Sequence, residues 1–137
     1  MTRIEGIASF VVLCAVVWSA GCRHAATGGD PISPGDLSAR IGSAGAPVVL
    51  DVRTPQEYAS GHIPGAVNIP HGELATRLAE IPGGKSAEIV VHCQAGGRAA
   101  TAEKVLAQQG YTNVRDLQGH FGGWVQQGFP VERTGQP

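Results

Sequence analysis

Two unbroken apolar runs, Val48-Val49-Leu50 and Ile89-Val90-Val91, do most to limit what this chain can fold into. A strand that is apolar on both faces must be covered on both faces, which is the situation of a strand inside a parallel sheet. Ala66-Val67-Asn68-Ile69 and Val114-Arg115-Asp116-Leu117 read as two further strands. Between the strands lie helix signals. Ser33 can cap a helix with Pro34 at its first position and Asp36 three after the cap. Thr54-Pro55-Gln56-Glu57 repeats that signature, and Gly61 stops the short helix it leads. Leu74, Leu78 and Ile81 have helical spacing, ended by Pro82-Gly83-Gly84. Ala99, Ala102, Val105 and Leu106 line one face of a longer helix, and Gly110 suits its C-terminal cap. Phe121, Trp124 and Val125 suit a last short helix before Gly128. Strand and helix alternate throughout, so the fold class is α/β, a parallel sheet with helices on both faces. In such folds ligands bind at the carboxyl ends of strands. Asp51 and Cys93 both fall at such ends.

The chain has 137 residues, enough for one domain. A formal net charge of -1 gives no reason to expect nucleic acid as a partner. Arg3 lies in a short polar start, and Ile7 to Trp18 is apolar but short for a membrane span. Residues 1–21 read as a secretory signal peptide. Ser19-Ala20-Gly21-Cys22 is similar to the lipobox of bacterial lipoproteins, in which the cysteine is acylated and becomes the mature amino terminus. Cys22 is then a lipidation site. The domain faces the periplasm as a lipid-anchored protein of the cell envelope, on the outer membrane if the bacterium has two. Ser19 stands where that box normally carries Leu or a similar residue, and ordinary cleavage here would instead release a secreted, soluble protein. Residues 22–31 read as a flexible tether and residues 32–133 as the folded domain. With Cys14 leaving in the signal and Cys22 blocked, Cys93 is the only free thiol of the mature chain, so an internal disulfide is excluded.

That thiol opens the segment His92-Cys93-Gln94-Ala95-Gly96-Gly97-Arg98-Ala99-Ala100, between a strand and a helix. Amide groups at a helix start are unpaired and attract anions, and the same field favours thiolate over thiol. Gly96 and Gly97 let the backbone curl until several amides point inward. Arg98 adds a fixed positive charge. The arrangement is a nucleophilic sulfur in an anion cradle, and the combination favours that reading over a buried structural cysteine.

These motifs together resemble the rhodanese-like domain, a single-domain sulfurtransferase module. The matching residues are Leu50-Asp51-Val52-Arg53-Thr54-Pro55, Glu57-Tyr58 and Gly61 through Pro70. The match continues with Cys93 through Arg98, then Gly110-Tyr111, Val114, Leu117, Gly119, Trp124, Gly128 and Pro130. It runs from about Ile32 to Glu132. One departure is visible: many relatives have paired glycines before the last helix, and here Gly119 is followed by His120. The resemblance implies a five-stranded parallel sheet, and a persulfide on Cys93 during turnover. It implies transfer of sulfane sulfur from a small donor such as thiosulfate to cyanide or a thiol, including a thiol on a partner protein. The six-residue span from Cys93 to Arg98 is the length the family associates with sulfur transfer, one residue shorter than in related phosphatases. A non-enzymatic sulfur carrier is the alternative, and a phosphatase or arsenate reductase is disfavoured by loop length.

Within that picture Gln94, Ala95, Gly96, Gly97, Arg98 and Ala99 form the substrate-binding loop. The terminal sulfur of the persulfide faces the amides of Ala95 to Ala99, and Arg98 holds the anionic donor. Asp51 and Arg53 are read as a supporting pair that braces the loop. His62, in Gly-His-Ile-Pro-Gly, reads as a hydrogen-bonding turn residue, and His92 as a packed strand-end histidine. Phe121 and Trp124 read as core. His24, His71 and His120 lack metal-ligand spacing, and no metal or other cofactor is expected.

Overall fold

A computed structural model describes residues 28–135. The signal peptide read over residues 1–21, Cys22, His24 and most of the tether lie outside the described residues. The elements are α1 (Pro34–Arg40), β1 (Val48–Asp51), α2 (Pro55–Ser60), β2 (Val67–Asn68), β3 (Ile89–His92), α3 (Gly97–Gln108), β4 (Val114–Asp116) and α4 (His120–Gln126). The strands form one parallel sheet in the order β2-β1-β3-β4.

The sheet divides two apolar layers. Leu50, Val52, Ile89 and Val91 pack with Ala99, Ala102 and Leu106 of α3. Val49 and Val90 point the other way, against Leu37 of α1 and Phe121 and Trp124 of α4. The alternation of side chains along β1 and β3 therefore feeds both layers, which is why these runs are apolar without a break. Ser33 caps α1 by accepting from the Asp36 amide. Thr54 and Glu57 form a reciprocal capping box on α2. At the end of α3, Tyr111 N–H reaches the Leu106 carbonyl and Gly110 N–H the Ala107 carbonyl. This is the Schellman arrangement, and Gly110 supplies the φ of +86° that it needs.

Two expectations are corrected. The described residues form four strands, not five. Gly28 and Ile32 make only isolated parallel bridges to Val114 and Leu117 on the free edge of β4. Gly29 N–H bonds the Val114 carbonyl and Ile32 N–H the Asp116 carbonyl, and Pro31, between them, has no amide to give, so the ladder does not continue. The helical spacing of Leu74, Leu78 and Ile81 is realised as two 3₁₀ turns, Leu74–Thr76 and Leu78–Glu80. Arg77, at φ -119° and ψ 18°, breaks the run between the two turns, and neither turn has the side-chain cap that α1 and α2 have. Leu74 and Ile81 still reach the core.

Candidate active site

The strand order sets the position of the site. From β1 the chain steps outward to β2, and from β3 outward to β4, so the order reverses between the adjacent β1 and β3. A crevice forms at such a switch point, outside the carboxyl ends of the strands. Asp51 and His92 are paired in register at the ends of these two strands, and Cys93 follows at once.

Cys93 is 1% exposed. The Gly96 amide donates to its sulfur at 3.0 Å. Gly96 has φ +121° and ψ -32° and stands as the cap of α3, so the chain turns from loop to helix there. A side chain at this position would be strained by that φ, and its Cβ would fall 2.7 Å from His120 Nε2. The loop is also gripped from α4. Phe121 N–H donates to the Cys93 carbonyl at 2.9 Å and Gly122 N–H to the Gln94 carbonyl at 3.2 Å. The first amides of α4, which have no partners within their own helix, thus fix two successive carbonyls at the start of the loop.

Arg98 lies in the first turn of α3, where a cation is unfavourable against the helix dipole. It is balanced by Glu57, whose carboxylate takes both ends of the guanidinium at 2.6 and 2.9 Å. Glu57 also accepts from the Thr54 amide as the third residue of α2. The hydrogen bonds from Arg98 pull its carboxyl down to about 2, against a burial effect that pushes it up. The pair therefore contributes throughout the range above the usual carboxylate pKa, and is lost only as pH falls toward 2. Arg98 in turn is held still more firmly in its cationic form, chiefly by Glu57 and to a smaller extent by the neighbouring Cys93.

Asp51 and Arg53 form a buried ion pair, 0% and 2% exposed. Arg53 Nε donates to both Asp51 oxygens at 3.0 and 3.1 Å, and Nη2 donates to Oδ2 at 2.6 Å and to the Gly61 carbonyl at 2.7 Å. The guanidinium lies 3.8 Å above the Phe121 ring. This joins β1, the end of α2 and the start of α4 beneath the loop. Asn68 adds a clasp, donating to the carbonyls of Asp51 and Arg53. His92 is fully buried, and burial pushes its pKa down to about 4, so it is neutral beside Asp51. His62 Nδ1 lies 2.8 Å from the Tyr58 carbonyl, and its ring stacks on Tyr58 with centroids 3.8 Å apart, as a hydrogen-bonded turn residue. A cleft of about 540 Å³ between α2 and α4 is bounded by Arg53, Glu57, Gln94, Phe121, Val125 and Arg133.

Two features were not read as part of the site from the sequence. Glu57 shows there only as a helix-capping residue, and its partner is 41 positions away. The imidazole of His120 against Gly96 shows only as a departure from paired glycines.

The fold and site define a parallel α/β module with a cysteine loop at its switch point. Residues 33–127 match the model of the rhodanese-like domain, and the chain belongs to that family. It is 36% identical over 102 residues to a sulfurtransferase of Allochromatium vinosum, covering 74% of this chain and 94% of that protein. It is 37% identical over 93 residues to the chloroplastic thiosulfate sulfurtransferase 16 of Arabidopsis thaliana, covering 61% of this chain and 78% of that one. The crystal structure of a rhodanese-related protein from Thermoplasma volcanium superimposes with a TM-score of 0.65 at 33% identity, covering 76% of this chain and 98% of that one.

Proposed function

We propose that this protein is a sulfurtransferase that carries sulfane sulfur as a persulfide on Cys93. The observation that carries this reading is the Cys93 sulfur, at the switch point of the sheet, accepting the Gly96 amide at 3.0 Å with Arg98 in the following helical turn. The relatives named sulfurtransferases support the same class of reaction. In the first step the Cys93 thiolate attacks the outer sulfur of thiosulfate. The sulfur–sulfur bond of the donor breaks, and sulfite leaves with the electron pair. Cys93 then bears a terminal sulfur with a negative charge, which the loop amides receive. In the second step cyanide or a thiolate attacks that terminal sulfur, takes it away, and returns the Cys93 thiolate. Arg98, oriented by Glu57, attracts the anionic donor.

The test is the intact mass of the protein after incubation with thiosulfate. One added sulfur atom is expected on the wild type, removed by cyanide and absent from Cys93→Ser. Arg98→Ala is expected to load more slowly and to raise the Michaelis constant for thiosulfate. If no donor adds sulfur, or if the protein hydrolyses aryl phosphates faster than it transfers sulfur, the reading fails.

We further infer from the Ala20-Gly21-Cys22 segment that the domain is tethered in the bacterial envelope by a lipid on Cys22. Metabolic labelling with a fatty-acid probe is expected to mark the wild type and not Cys22→Ala. An unlabelled, soluble mature protein would mean that Ser19 spoils the lipobox.

A further inference from the structure

His120 is the only non-glycine residue with positive φ among the described residues, at +52°. A left-handed backbone carries a steric cost for a residue with a Cβ, and such a cost persists where the surroundings impose it. The surroundings here are specific. His120 opens α4, one residue before the Phe121 amide that holds the Cys93 carbonyl. Its side chain is 12% exposed and points back over the sulfur loop. His120 Nε2, Cδ2 and Cε1 lie 2.7, 3.3 and 3.6 Å from where a Gly96 Cβ would be. The ring therefore occupies the space that a side chain on Gly96 would need, and it closes that side of the turn.

The other edge of the ring faces Asp116. His120 Nδ1 lies 3.6 Å from Asp116 Oδ1, at the end of β4. Both atoms are buried and neither has a hydrogen-bond partner. A slight rotation of the ring would let Nδ1–H donate to that oxygen, which satisfies both atoms and fixes the ring plane. Glu103 of α3 is a charged neighbour of Asp116. Burial pushes both carboxyls above their usual range.

We propose that His120 is a positioning residue for sulfur transfer: its ring, propped by Asp116, holds Gly96 in the conformation that aims the Gly96 amide at the Cys93 sulfur. The amide–sulfur hydrogen bond depends on how the Ala95–Gly96 peptide plane is held against α3, which the φ and ψ of Gly96 set, and glycine alone does little to keep them. A rigid ring on one side and two α4 amides on the adjacent carbonyls supply that constraint. The role in transfer rests on the sulfurtransferase reading above; the bracing of Gly96 does not.

The test uses His120→Gly, His120→Asn and Asp116→Asn in the folded protein. Glycine and asparagine both tolerate a left-handed backbone, and neither reaches Gly96 as the imidazole does. In His120→Gly, relief of strain offsets the added freedom of the unfolded chain, so thermal stability should change little. Hydrogen exchange of the Gly96 amide, followed by NMR on nitrogen-15-labelled protein, should be about tenfold faster in both His120 variants and raised less in Asp116→Asn. With thiosulfate and cyanide, kcat should fall by about tenfold in the His120 variants, with KM within about twofold, because the amide acts on developing charge and not on donor capture. Wild-type Gly96 exchange in both His120 variants would overturn the proposal. So would accelerated exchange with an unchanged kcat. If the wild type takes no sulfur from thiosulfate, the sulfurtransferase reading falls on its own evidence, and the exchange measurement still decides whether His120 braces Gly96.

Discussion

Arg53→Ala should unfold at a temperature roughly 10–25 °C below the wild type, a loss of about 3–5 kcal/mol. The reason is what it leaves behind. Asp51 is 0% exposed, and Arg53 supplies its ion pair with three side-chain contacts of 3.1 Å or less. Without the guanidinium a carboxylate stays buried beside a neutral His92, whose Nε2 is 3.8 Å away. The Gly61 carbonyl also loses its donor, and the Phe121 ring loses the cation over its face. Removing both charges should cost less than removing one, because no uncompensated charge then remains. Arg53→Met combined with Asp51→Ala is therefore expected to be more stable than Arg53→Ala. Urea titration of the three proteins measures this directly. A loss below about 1 kcal/mol in Arg53→Ala would show that water reaches the pair in solution.

Trp124→Ala should cost a similar amount, about 3–5 kcal/mol, and should also loosen the sulfur loop. Trp124 is fully buried in the layer formed with Leu37, Val49 and Val90. Its Nε1–H donates to the Pro130 carbonyl at 2.8 Å, and its ring meets Phe129 at 4.9 Å between centroids. It is the main anchor of a seven-residue helix, too short to hold itself together. The Phe121 and Gly122 amides that fix the Cys93 and Gln94 carbonyls belong to the same helix. Thermal unfolding should report the lost stability. Faster hydrogen exchange at Phe121 and Gly122, measured well below the unfolding transition, should report the looser helix. Exchange at those two amides equal to wild type would mean that α4 is held mainly by its loop contacts.

Local rules carried the sequence reading wherever the decisive contacts were local. The doubly apolar runs of β1 and β3, the capping box at Thr54 and Glu57, and Gly110 after α3 each involve residues within a few positions of one another, and each has its structural counterpart. The position of Cys93 between strand and helix was legible for the same reason. The failures came where distant segments compete. A fifth strand needs a donor that Pro31 lacks, and the run from Leu74 to Ile81 has helical spacing but is broken at the non-helical Arg77, with neither turn capped by a side chain. The partner of Arg98 could not be read at all, because a capping glutamate and a loop arginine show nothing of their separation in space. Nor could the setting of His120, whose left-handed backbone is imposed by its place between Gly119 and the sulfur loop.

Glu57 serves two masters, since the same carboxylate caps α2 and orients Arg98. A lineage that alters the charge around Arg98 through Glu57 must therefore also repair the start of a helix. Glutamine at position 57 is the mildest step open to it, because that residue can keep the cap while giving up the ion pair. Positions 54, 57 and 98 are consequently expected to drift together as a group, an epistatic unit whose members lie on two different helices.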